Sequence, residues 1–224
     1  MIEATKHGCR NVLKLEQAIE DSSSLILITP IFNSGNLVEF LERYPDFNSE
    51  WVMKKVIHDV ALGLSDLHKL GIIHRDIKPQ NILIQEEAQL GQRMPTSFRA
   101  VIADLGIATK LTAARTTTSW RVGTDGFIAP EVFQSHPYSY SCDLFSLGSV
   151  GYWICSGQLP FYSEKPKLYY HKLSHEQLDL ESHSKLSRLS GPCKNILQRM
   201  LERDVNKRIT IDELLQHHWF NSKS

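Results

Sequence analysis

The chain has no excess of charge of either sign. Its 224 residues carry 25 Lys and Arg against 25 Asp and Glu. A strongly basic balance is what a polyanion binder needs, so no nucleic-acid partner is expected. Cysteine is scarce as well. Cys9, Cys142, Cys155 and Cys193 are scattered, with no C-x-x-C pair and no metal-ligand spacing. That points to reduced thiols and away from a disulfide framework. Long apolar runs are missing: residues 25–31 and 150–155 are far shorter than the ~20 residues that span a bilayer. Residues 1–10 lack the apolar stretch of a signal peptide. A cytoplasmic or nuclear protein is expected, linked to a membrane only as part of a longer chain. There is no internal repeat, low-complexity tract or linker, so residues 1–224 read as one domain, large enough to bury a sizeable core.

The patterning that is present is mostly helical. Val52, Val56, Val60, Leu64 and Leu67 recur at helical spacing and predict a long amphipathic helix over 51–70, ended by Gly71. Residues 143–156 are apolar on nearly every side (Leu144, Phe145, Leu147, Val150, Trp153, Ile154), as a buried central helix requires. A short helix over 37–43 follows Gly35, and Thr210 with Glu213 forms a capping box opening a last helix over 211–217. Short strands are predicted at 13–15 and 25–28 around a polar turn, at 72–73 and at 82–84, and Val101-Ile102-Ala103 leads into Asp104. Residues 85–97 read as a long polar surface loop, which closes at small entropic cost. The expected class is α+β, a mainly helical lobe with a partial β-sheet at the front.

The chemistry concentrates in one stretch, His74-Arg75-Asp76-Ile77-Lys78-Pro79-Gln80-Asn81. It reads H-R-D-x-K-x-x-N. Asp104-Leu105-Gly106 follows, then Gly123-Thr124 and Ala129-Pro130-Glu131. These motifs, in this order, resemble the catalytic loop, the D-F-G motif and the G-T…A-P-E of eukaryotic protein kinases. The resemblance covers residues 11–220 and is of serine/threonine type, since tyrosine kinases usually differ at Lys78. It implies a protein kinase fold, with 1–32 as N-lobe remnant and hinge and 33–224 as C-lobe. It implies transfer of the ATP γ-phosphoryl group to Ser or Thr hydroxyls of protein substrates, with Mg²⁺ as the metal. Asp76 is then the catalytic base, Lys78 neutralises charge on the transferred phosphate, and Thr124 bonds both. Asn81 and Asp104 are the magnesium ligands, because Mg²⁺ takes hard oxygens. The nucleotide set is Thr29 (as gatekeeper), Ile31, Phe32, Asn36 near the ribose, Lys78, Asn81, Leu83 and Asp104.

Further residues resemble architectural parts of the family. Asp143 caps the backbone of the catalytic loop, Glu131 pairs with Arg208, and His74 is a packed ring bonded to nearby backbone. Arg75 resembles the arginine that binds a phosphate on the activation segment. Thr116, Thr117, Thr118 and Ser119 stand where an upstream kinase, or the protein itself, would place it. Leu105 departs from the usual phenylalanine.

The G-x-G-x-x-G loop and the V-A-I-K lysine of the family do not occur in this sequence, and Glu3 lies too near Leu15 to be the glutamate that pairs with that lysine. A truncated gene, a fragment, or a kinase-like module without a small lobe would each lack them. Retention of Asp76, Asn81 and Asp104 favours an active kinase; the alternative is a non-catalytic scaffold or binding module. Residues 123–131 and 143–148 and the long 85–97 insert are most similar to the kinase portion of the unfolded-protein-response kinase/endoribonuclease sensors.

Overall fold

The computed structural model describes residues 1–45, 47, 49–87 and 97–221. The chain opens with the short helix α1 (Ile2–Lys6) and then a hairpin, β1 (Gln17–Glu20) and β2 (Leu25–Ile28). The strand expected at 13–15 begins at Gln17 instead. Residues 11–13 are bound to another strand: Asn11 O accepts from Ile102 N (2.9 Å), and Leu13 N donates to Ile102 O (2.7 Å). The turn falls where expected, with Asp21 Oδ1 accepting from Ser23 N and Ser24 N at 2.7 and 2.8 Å.

Helix α2 (Leu37–Arg43) starts on Asn36, whose side chain accepts from Val38 N and Glu39 N while Glu39 reaches back to Asn36 N. This reciprocal cap satisfies amides that otherwise lack partners. Helix α3 (Ser49–Lys69) is the long amphipathic one, and Val52, Val56, Val60, Leu64 and Leu67 are all fully buried. Each contributes roughly 1.5–3 kcal/mol by leaving water. Gly71 follows with φ +78°, a left-handed turn that glycine adopts without strain.

Next come β3 (Ile72–Ile73), β4 (Ile82–Glu86), β5 (Phe98–Ile102) and β6 (Thr109–Lys110). β4 and β5 form an antiparallel hairpin pairing Ile82 with Ile102 through Glu86 with Phe98, and β3 pairs with β6. The polar loop expected over 85–97 is shorter at both ends, because β4 extends to Glu86 and Glu87 N bonds Ser97 O at 3.1 Å. Its middle, 88–96, lies outside the described residues.

The rest is helical: α4 (Pro130–Phe133), α5 (Ser141–Ser156), α6 (Pro166–His175), α7 (Gly191–Met200) and α8 (Ile211–Leu215). α5 is the pillar, buried almost along its whole length and packed between α3 and α7. Thr210 caps α8 with Glu213, but the helix stops at Leu215 and a 3-10 turn over His218–Asn221 follows. The structure is an α+β arrangement of a helical lobe with small two-stranded sheets. Among the described residues no helix is long and apolar enough to cross a membrane.

Candidate active site

The catalytic-loop candidate hangs between β3 and β4, on the core made by α3 and α5. Its backbone is fixed by one buried carboxylate. Asp143, fully buried near the start of α5, accepts from His74 N at 3.0 Å and Arg75 N at 2.8 Å. His68, in the last turn of α3, donates from Nε2 to the same carboxylate at 2.9 Å. Burial alone would raise the Asp143 carboxyl; the bonds and charge around it outweigh that and lower its pKa. His68 is a part that sequence reasoning missed. Its position at a helix C-terminus was the only signal.

Arg75 sits at φ +71°. A left-handed conformation costs a non-glycine residue about 1–2 kcal/mol and persists only where neighbours over-determine it. Here Asp143 holds the Arg75 amide, and Arg75 Nε donates to Ile107 O at 2.7 Å. Across from it, Gly123 adopts φ +113°, and a Cβ there would stand 2.7 Å from the Arg75 carbonyl oxygen. Only glycine lets the two segments approach that closely.

That approach brings Thr124 onto Asp76. Thr124 Oγ1 donates to Asp76 Oδ1 at 2.7 Å, and Lys78 Nζ donates to Thr124 Oγ1 at 2.9 Å. Lys78 Nζ also stands 2.8 Å from Asp76 Oδ2, an ion pair. Asn81 Nδ2 donates to the Asp76 backbone oxygen at 2.9 Å and to Asp76 Oδ2 at 3.0 Å. Four predicted site residues, Asp76, Lys78, Asn81 and Thr124, therefore meet around one carboxylate. Burial opposes its ionisation, but the bonds from Lys78, Thr124 and Asn81 win and lower its pKa.

His74 is fully buried beneath them. Its Nε2 donates to Ala103 O at 2.9 Å and its Nδ1 accepts from Asp76 N at 3.2 Å. Burial pushes its pKa down, so the ring is neutral and architectural. Ala103 N in turn donates to Asn81 O at 2.8 Å, which ties the loop to the strand leading into Asp104. Asp104 is exposed at φ +59°, with one carboxylate oxygen accepting from Gly106 N at 3.0 Å.

The oxygens needed for a magnesium ion are available. Asn81 uses its NH₂ group on Asp76, which leaves its amide oxygen to turn outward, and Asp104 keeps a second carboxylate oxygen. Among the described residues no group of three His, Cys, Asp or Glu side chains could hold a metal alone. Two hard oxygens fit a Mg²⁺ that completes its octahedron with phosphate and water oxygens.

The residues expected at the nucleotide are less closed. Phe32 and Leu83 pack against Leu13, Val101 and Ala103, and the backbones of Asn36 and Leu83 are bridged. Ile31 is 91% exposed. Asn36 spends its side-chain oxygen on the cap of α2, so only its NH₂ group is left for a ribose. Thr29 is half-buried at the end of β2.

Two outer features complete the site. Glu131 and Arg208 make a buried two-pronged pair, 2.6 and 2.9 Å, with Arg208 also bonded to Ser141 O and Glu202 O. Thr116, Thr117 and Ser119 are exposed, but Thr118 is buried and accepts from Arg115 NH2 at 3.0 Å.

Comparison with known proteins agrees with this geometry. The model of the protein kinase domain matches residues 1–220. The serine/threonine-protein kinase PEPKR2 of Arabidopsis thaliana is 30% identical over 97% of this chain and 44% of its own length. The ribosomal protein S6 kinase 2 alpha of Xenopus laevis is 30% identical over 95% of the chain and 28% of its own. Serine/threonine-protein kinase 33 of Bos taurus is 27% identical over 100% and 45%. The chain thus spans less than half the length of these relatives. It belongs to the protein kinase family.

Proposed function

We propose that the protein is a serine/threonine protein kinase using Mg²⁺ and ATP, with Asp76 as base. The observation that carries this is the convergence of Lys78, Thr124 and Asn81 on the Asp76 carboxylate, each within 3.0 Å. When bound, ATP with its metal supplies the phosphoryl group and leaves as ADP. Asp76 orients the substrate hydroxyl and takes its proton as the new O–P bond forms, a role typically worth ~10²–10⁴-fold. Lys78 stabilises charge on the transferred group, and Thr124 keeps base and lysine in register. Asn81 and Asp104 present the oxygens for the metal. Thr29, Ile31, Phe32, Asn36 and Leu83 form one wall for the nucleoside, with the strap 29–32 dividing a front remnant (1–32) from the catalytic lobe (33–224).

Thr117 and Ser119, exposed beside Arg115, are the sites we assign to activating phosphorylation. A phosphate there gains charge-assisted bonds and orders the segment. Thr117→Ala with Ser119→Ala should lower activity of protein phosphorylated at those sites. The finer kinship to the unfolded-protein-response sensors is supported by residues 123–131 and 143–148 and the 85–97 insert, and no nuclease residue is carried over. Transfer of labelled phosphate from Mg-ATP to Ser- and Thr-containing peptides tests the main reading. Wild type should be active and Asp76→Asn inactive while still cooperatively folded; equal rates would refute it.

A second reading has its own observation. Every position of β1 and β2 is exposed, with Leu25 at 62% and Ile26 at 52%. Such apolar surface suits a scaffold that docks a partner. It requires no Mg-ATP binding by this chain.

A further inference from the structure

On the side of the strap 29–32 away from Asp76, and sharing Phe32 with the nucleotide wall proposed above, one cavity of about 410 Å³ gathers cations without their partners. Arg10, Lys14 and Arg99 line it beside the strap 29–32. None of the three has an ion pair or side-chain hydrogen bond among the described residues, and no described carboxylate is in the lining. Asp66 is the carboxylate felt at its edge, at Cys9, whose thiol is pushed up by burial first and by Asp66 second. All three are exposed, and like charges gathered at one concavity repel each other, a repulsion that a bound anion would relieve.

The other lining groups narrow the anion. Thr5 Oγ1 accepts from Leu15 N at 2.9 Å, which leaves its O–H proton to donate. Gln85 stands opposite Arg99 in the β4–β5 ladder and offers an amide. Two guanidinium forks match the paired oxygens of a phosphate, and lysine adds a point charge. The wall made by Val12, Pro30, Phe32 and Val101 is apolar, so a bare inorganic anion would leave half of the cavity unused. The size is that of a pocket for one or two side chains, and its concavity suits an inserted side chain better than a flat membrane surface.

We infer that this cavity is a recognition site for a phosphorylated peptide segment, its phosphate on Arg10, Lys14 and Arg99 and a neighbouring apolar side chain against Phe32 and Val101. The assignment stands apart from catalysis at Asp76. The test is fluorescence anisotropy of the full chain with a peptide bearing phosphoserine next to leucine, against its unphosphorylated twin and against phosphatidylserine vesicles. The phosphopeptide should bind at least about tenfold more tightly than its twin, a difference near 1.4 kcal/mol. Arg10→Gln/Lys14→Gln/Arg99→Gln should abolish that preference with unchanged melting, and Arg10→Lys/Arg99→Lys should keep part of it. No preference for phosphate, or a preference that survives the triple substitution, overturns the assignment. Vesicle binding without phosphopeptide binding overturns it in favour of a membrane surface.

Discussion

The catalytic loop and the β1–β2 hairpin are both short pieces of chain, and they are held in opposite ways. In the loop nearly every polar group is answered. Asp143 takes two amides, His74 bridges two backbone groups, and Asp76 collects three side chains. The loop's foundation is the fully buried core of α3 and α5. The hairpin has its ladder and little else, and all eight of its strand positions are exposed. An isolated two-stranded hairpin is marginal in water. Polar residues with partners are therefore the rigid part of this molecule, and apolar residues without them are its loose part.

Substitutions across that divide should separate the two regions sharply. The largest effect belongs to Asp76→Asn, which should slow peptide phosphorylation by about 10²–10⁴-fold in steady-state kinetics while the protein still unfolds in one cooperative transition. Next is Glu131→Ala, which leaves Arg208 buried without its partner and should cost about 3–5 kcal/mol in urea unfolding. Leu64→Ala, inside α3, should cost about 2–5 kcal/mol by the same method. Leu27→Ser in the hairpin should change stability by no more than about 0.5 kcal/mol, although it too replaces a leucine. A hairpin variant as damaging as Leu64→Ala would erase the contrast.

Acidification sharpens it in another way. His74 has a lowered pKa in the folded protein, so its neutral form contributes stability that is complete above the unfolded value near ~6.5 and is lost as pH falls through the folded value. Asp76 and Asp143 are also lowered, so their contribution is complete above about 4 and is lost as pH falls through their folded values. Urea midpoints should begin to fall below about pH 6.5 and fall steeply below about pH 4. His74→Gln should shrink the first step, leaving the part due to His217, whose pKa burial also lowers, and keep the second.

Much of this was legible because the relevant patterns are local. Val52 to Leu67 repeats at the helical period, and Asp76, Lys78 and Asn81 lie within one turn of chain. Thr124 could be placed on Asp76 only through the family resemblance, since 48 residues separate them. Part of what stayed hidden was non-local. Leu13 and Leu15 alternate like a strand, yet the chain at 11–13 is taken up by β5, a partner 89 residues away from Asn11. Thr118 is a hydroxyl in a polar run, and nothing in that run announces the Arg115 bond and the bridge to Tyr138 that bury it. His68 meets Asp143 across 75 residues. Asn36 looked like a ribose contact and is first of all a helix cap, because capping needs only the next three residues.

The most direct measurement is thermal unfolding of the full chain with and without Mg-ATP, in wild type and in Asp104→Ala. At about 100 times its dissociation constant the nucleotide should stabilise wild type by roughly 2.7 kcal/mol, a rise of about 5–10 °C, and Asp104→Ala should show far less. Identical melting of wild type in both conditions would contradict a nucleotide site at Asp76, Asn81 and Asp104, and would leave a binding module in its place.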